Sequence, residues 1–259
     1  MKTRILCICV LLLSLSGNEA ALSDDRVVTP PLLVPSFRVD PFWPKALPNK
    51  WLVGAVAGVA VDRDDHVWII HRPATLQPNE TRAGWRGAPP VLEFDAAGNL
   101  LAAWGGPGEG YEWPDLEHGI YVDARNNVWI AGAGQKDAQV LKFTGDGKFL
   151  LQIGRSGKNR GSNDTENLGS PSNMVVDEAA RELYVADGYG NHRVIVFDAD
   201  TGGYKRHWGA YGRLPDDSYF ETIGEKLPGP SRASCRTRTS PASMIPTRRR
   251  SPSSASFRR

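Results

Sequence analysis

Three side chains with reactive chemistry recur in similar places of this sequence. Arg72 closes Ile69-Ile70-His71-Arg72, His118 lies in Glu117-His118-Gly119-Ile120, and Tyr189 lies in Asp187-Gly188-Tyr189-Gly190-Asn191-His192-Arg193. An imidazole nitrogen is a preferred zinc donor, and a catalytic zinc takes three protein ligands and keeps one position open to polarise a substrate oxygen. A phenol, with a pKa of about 10, needs a cation nearby before it acts as a base at neutral pH. A guanidinium supplies that field and can also grip a carboxylate. Each residue has a plainer reading too: His118 caps a loop backbone, Tyr189 packs with its hydroxyl at the channel, and Arg72 pairs with an acid. Arg193 reads as a salt-bridge or strand-pairing residue. The other histidines, His66, His71, His192 and His207, are expected on turns or facing outward, which makes them poor ligand candidates.

The elements that must position these groups are repeats. Gly58-Val59-Ala60-Val61-Asp62 leads through a polar turn to Val67-Trp68-Ile69-Ile70. Gly119-Ile120-Tyr121-Val122-Asp123 leads to Val128-Trp129-Ile130-Ala131, and Met174-Val175-Val176-Asp177 leads to Leu183-Tyr184-Val185-Ala186-Asp187. Each is an alternating strand, an Asp-led turn and a second strand, the signature of a hairpin. A second hairpin follows each one, starting at Val91, Val140 and Val194. Two hairpins per unit make a four-stranded sheet, and the interval of 61 and then 54 residues between the turn aspartates is that of a β-propeller blade. No segment keeps a 3.6-residue apolar period for three turns, which excludes a helical solenoid. The stretches 75–90 and 155–171 are polar and rich in Gly, Pro and Asn, and read as surface loops where binding groups collect. Gly105 to Gly110 lacks the helix of a phosphate loop and reads as a blade connection.

This pattern resembles the NHL repeat, most closely from Tyr184 to Phe197, over about residues 51–212. The resemblance implies an all-β fold, a β-propeller of NHL type. Members of that family close with six blades, so three blades would leave two open edges. Within NHL propellers, the segment from Asp187 to Arg193 is similar to the Asp-Gly-Tyr-Cys-Asn-Ser-Arg motif of the peptidylglycine α-amidating lyase family. Those zinc propellers cleave peptidyl-α-hydroxyglycine to a peptide amide and glyoxylate. The resemblance implies that Tyr189 is the catalytic base, that His118 is a zinc ligand and that Arg72 binds substrate. It also implies calcium as a second ion. The sequence departs from the pattern in two ways. No histidine follows His207 to serve as a later zinc ligand, and Gly190 stands where the motif has its cysteine, so the associated disulfide is missing.

Composition divides the chain. Of its 259 residues, Lys226 to Arg259 contain nine basic and no acidic residues, eight Ser and five Pro, and removing that charge from the net +2 leaves −7 for residues 1–225. An acidic folded part excludes nucleic-acid binding from overall charge. Residues 1–21 read as a signal peptide: Lys2 and Arg4 precede an apolar run from Ile5 to Leu15, followed by small residues. That run is too short for a membrane span, which needs about 20 residues. The expected location is secreted or periplasmic. Cys7 and Cys9 leave with the signal and only Cys235 remains, so no disulfide is expected. The organisation read from sequence is thus a signal at 1–21, an extended segment at 22–50, a partial propeller at 51–225 and a disordered tail at 226–259. The break near Leu227 to Pro230 falls where a fourth blade would start and matches the out-of-frame text of a G+C-rich gene. A basic tail for anionic polymers or membrane surfaces is the alternative.

Two functions follow. One is a zinc-dependent amidating-lyase-like enzyme, inactive in this form because later histidines are absent. The other is a non-catalytic propeller that binds a small molecule, peptide or protein partner at its channel face. Propellers host both.

Overall fold

The computed structural model describes residues 36–218. The expected signal at 1–21 and the basic tail at 226–259 lie outside them. The chain divides into two units at Asp40, and every regular element described belongs to the second, from Pro41 onward.

That unit is built almost wholly of strands: β1 (Trp51–Leu52), β2 (Ala55–Val61), β3 (Val67–Arg72), β4 (Arg86–Gly87), β5 (Val91–Phe94), β6 (Leu100–Trp104), β7 (Glu117–Val122), β8 (Asn127–Gly132), β9 (Gln139–Thr144), β10 (Phe149–Gly154), β11 (Asn173–Asp177), β12 (Glu182–Asp187), β13 (Arg193–Asp198) and β14 (Tyr204–Trp208). They form three four-stranded antiparallel meanders, β2-β3-β5-β6, β7-β8-β9-β10 and β11-β12-β13-β14. These are three blades of a β-propeller, as the repeats predict. The short parallel pair β1–β4 was not expected. It ties the 75–90 stretch, read from sequence as a loop, to the start of the first blade.

The turn aspartate of each repeat explains why the hairpins form. Asp62 Oδ1 accepts the backbone N–H groups of Asp64 and His66, each at 2.9 Å, and its Oδ2 accepts the Trp68 indole N–H at 2.8 Å. Asp123 repeats this with Arg125, Asn127 and Trp129. One carboxylate thus closes the turn and satisfies the only polar atom of a fully buried tryptophan. Burying each indole removes about 200 Å² from water, worth on the order of 5 kcal/mol before entropy is counted.

Period-2 alternation then sends side chains to both faces of each blade. Trp68, Ile70 and Val91 meet Ile120, Val128, Ile130 and Leu141 between the first and second blades. Trp129, Val140 and Ile153 meet Met174, Leu183, Ile195 and Phe197 between the second and third. The opposite face of the first blade, with Ile69, Leu92 and Phe94, is covered by Trp43, Leu47, Trp51 and Val53. Trp43 and Leu47, which precede the blades, therefore pack on the core of the first blade.

Candidate functional site

Because the strands of each blade are antiparallel, the inner strands β2, β7 and β11 begin where the second strands β3, β8 and β12 end. The inner strands pack side by side, β2 on β7 and β7 on β11. That end of the blades therefore collects three groups far apart in sequence: Arg72 at the end of β3, Glu117 and His118 at the start of β7, and Tyr189 just after β12.

The three predicted residues form a chain of contacts across the blades. Arg72 Nε donates to the Glu117 carbonyl at 2.8 Å, linking the first blade to the second. His118 Nε2 lies 3.1 Å from the Tyr189 hydroxyl, linking the second to the third, with their rings in an edge arrangement at 5.3 Å. Tyr189 is 61% exposed, so it presents its phenol to solvent at this rim. His118 is aimed by a device the sequence did not reveal. The register of β7 on β8 slips between Glu117 and Gly119, leaving His118 as the extra residue of a β-bulge. Bulges turn a side chain out of the ladder, often beside a functional site. In the first blade the slip falls at the equivalent place, between Val56 and Gly58, but the residue there is Ala57. Next to the bulge, a Cβ on Gly119 would stand 3.0 Å from the Ser172 carbonyl and 3.1 Å from Met174 Cε. Glycine lets the two inner strands approach.

A buried polar network holds the Tyr189 turn. Asp187, fully buried, accepts from Gly169 N, Asn191 Nδ2 and Arg193 Nε, each at 2.8 Å. Arg193 spends three of its four remaining donors on the carbonyls of Ser162, Asp164 and Asn167. Arg193 is thus the salt-bridge residue expected. Its carbonyl partners show that the 155–171 stretch is not only a surface loop: Ser162, Asp164, Asn167 and Leu168 are buried. Burial favours a neutral Asp164, but the Arg160 guanidinium and the N–H groups of Glu166 and Asn167 outweigh it and hold the carboxyl well below the usual range. Gly190 N donates to Gly169 O at 2.8 Å, and a Cβ on Gly190 would fall 2.9 Å from that oxygen. The position where the family motif has cysteine is packed for glycine here. Beside this turn, Arg155, Lys158, Asn159, Arg160, Glu166 and Asn167 line a cavity of about 440 Å³.

One histidine departs from expectation. His71 is neither on a turn nor facing outward; it is fully buried on β3. Its Nδ1 accepts Gly54 N at 3.1 Å and its Nε2 pairs with the Pro89 carbonyl at 2.9 Å, which fixes the neutral tautomer with the proton on Nε2. Burial lowers its pKa.

The donor set does not complete a zinc site around His118. Among the described residues, one group of three His, Cys, Asp or Glu donors converges: Asp62, His66 and Glu93, at the opposite end of the first blade. His118 offers one ligand where a catalytic zinc takes three.

Residues 168–197 match the model of the NHL repeat. NHL repeat-containing protein 3 of Mus musculus is 28% identical over 174 residues, a match covering 64% of this chain and 44% of that protein. Peptidyl-alpha-hydroxyglycine alpha-amidating lyase 1 of Drosophila melanogaster is 29% identical over 173 residues, covering 60% of this chain and 29% of its own length. The chain therefore spans less than half of these relatives. Among solved structures, Kuenenia stuttgartiensis hydrazine synthase aligns over 63% of this chain and 38% of its own, with a TM-score of 0.41 and 12% identity.

Proposed function

We propose that this NHL-repeat propeller is an amidating-lyase-like protein of a secreted or periplasmic compartment, and that its blade-end rim receives the α-hydroxyglycine terminus of a peptide. The observation that carries the reading is the 3.1 Å contact between His118 and Tyr189, which joins residues 71 positions apart at the rim where Arg72 also ends. The terminal nitrogens of Arg72 have no hydrogen-bond partner among the described residues, and they are the natural grip for the substrate carboxylate. The Tyr189 hydroxyl passes its proton to His118 Nε2, and the phenolate so formed is the group to take the hydroxyl proton of the substrate. Loss of that proton forms the carbonyl of glyoxylate as the carbon–nitrogen bond breaks, and the proton is returned to the departing amide nitrogen. No step is assigned to zinc, because His118 is a single ligand, nor to calcium. Binding of this terminus is the property that the described rim residues support.

The test is calorimetric titration with a hydroxyglycine-terminated peptide and with the matching amide. Preferential binding of the former, weakened about ten-fold or more by Arg72→Ala, is expected, without glyoxylate release above background. Equal affinity for both peptides overturns the reading in favour of a non-catalytic propeller that holds a peptide or protein partner.

A further inference from the structure

The first and second blades close their leading hairpins with the same aspartate but place opposite charges beside it. In the second blade, Asn127 Nδ2 donates to both oxygens of Asp123, at 3.1 and 2.9 Å. Lys142, paired across the sheet from Trp129, carries its ammonium over that indole at 4.6 Å. In the first blade, His66 follows Asp62 at the spacing by which Asn127 follows Asp123, and Glu93 stands opposite Trp68 as Lys142 stands opposite Trp129. An amide donor and a cation are thus exchanged for an imidazole and a second carboxylate.

We propose that Asp62, His66 and Glu93 form a binding site for a divalent transition-metal ion of the zinc type, separate from His118. Donor atoms of the three residues lie within 4.8 Å of one another. His66 Nδ1 is 2.9 Å from Glu93 Oε1 and 3.4 Å from Asp62 Oδ2. Ligands held at 2.0–2.2 Å from a tetrahedral ion stand roughly 3.4 Å apart, a spacing that His66 and Asp62 already have and that His66 and Glu93 reach by opening about half an ångström. One imidazole and two carboxylates make a set that zinc, cobalt and manganese accept, with a fourth position left for water. The Asp62 and Glu93 side chains are shielded, at 7% and 12% exposure, while His66 at 29% leaves a path of entry. The Asp62 carboxylate is already oriented: two backbone N–H groups hold Oδ1, and the Trp68 indole holds Oδ2 while leaving it a lone pair. Such outer hydrogen bonds preorganise metal ligands. The internal comparison strengthens the case, since the second blade carries a built-in cation at the place where the first carries an anion.

The experiment titrates zinc into the full chain, freed of metal by chelation, and follows cobalt substitution by visible absorption. One equivalent of zinc is expected to bind, with cobalt giving the intense bands of low coordination. His66→Asn and Glu93→Lys install the second blade's residues and should each weaken binding about ten-fold or more. Glu93→Gln serves if the lysine variant fails to fold. His118→Ala should leave the affinity unchanged, which separates this site from the one in the proposed function. Absence of saturable zinc binding, or an affinity unmoved by His66→Asn and the Glu93 variants, overturns the proposal and leaves the imidazole as a hydrogen-bonding bridge between two carboxylates.

Discussion

His118 Nε2 and Tyr189 Oη meet at 3.1 Å across the junction of the second and third blades. One residue is lifted out of its ladder by a bulge, and the other stands on a turn anchored from beneath by Asp187 and Arg193. The contact therefore depends on two independent backbone devices, and each can be tested apart from the contact itself.

Replacing the phenol hydroxyl should change the site and spare the fold. Tyr189 is 61% exposed, so Tyr189→Phe is expected to move stability by no more than about 0.5 kcal/mol. The nitrogen resonances of His118 should shift in the same variant. An unmoved imidazole spectrum would show that the two side chains are not bonded in solution.

The anchor should be costly to break. Arg193→Ala leaves the fully buried Asp187 carboxylate without its countercharge, held only by Gly169 N and Asn191 Nδ2, and strips three carbonyls of their donors. A loss of about 3–5 kcal/mol is expected by urea denaturation, against the small effect at Tyr189. Hydrogen exchange should quicken in residues 162–169 in particular. A loss below about 1 kcal/mol would contradict the network.

Gly119 tests the approach of the inner strands. Its alanine variant places a methyl 3.0 Å from the Ser172 carbonyl, a backbone atom with little room to yield. About 1–3 kcal/mol of destabilisation is expected, together with perturbed resonances at His118. Unchanged stability would mean that the second and third blades can slide apart freely.

His71 makes stability fall on the mildly acidic side. Its folded pKa is lowered by burial, so below about pH 6.5 the unfolded chain takes up a proton that the folded protein refuses. Stability should decline as pH drops from about 6.5, by at most about 1.4 kcal/mol per pH unit from this group. His71→Asn should be less stable at neutral pH, with a shallower slope from pH 6.5 to 5.5. An identical slope would assign the effect to other histidines.

At lower pH the third blade should fail through Glu182. Arg206 grips both of its oxygens, at 2.8 and 2.6 Å, and holds its pKa at about 2. That stabilisation is present above the ordinary glutamate range and is lost as pH falls from about 4.5 toward 2. Glu182→Gln should flatten this part of the acid unfolding curve, and an unaltered curve would exclude the pair as its source.

What could be read from the sequence was local. Alternation over Val67 to Ile70 and Val128 to Ala131, with an aspartate before each turn, requires hairpins because both the ladder and the turn closure lie within a few residues. The repeat interval then counted the blades, and Arg72, His118 and Tyr189 fell in equivalent parts of them. Tertiary structure alone decided the rest. His71 looked like an outward residue because its partners, Gly54 and Pro89, lie 17 and 18 positions away. The 155–171 stretch looked solvated because the charge that pulls its carbonyls inward belongs to Arg193, 26 to 31 residues later. The bulge at His118 and the cover of Trp43 and Leu47 over the first blade leave no periodic trace. Alternation states that a face is apolar, but which neighbour covers it, and which buried polar groups find partners, depends on contacts between segments that the chain brings together only when it folds.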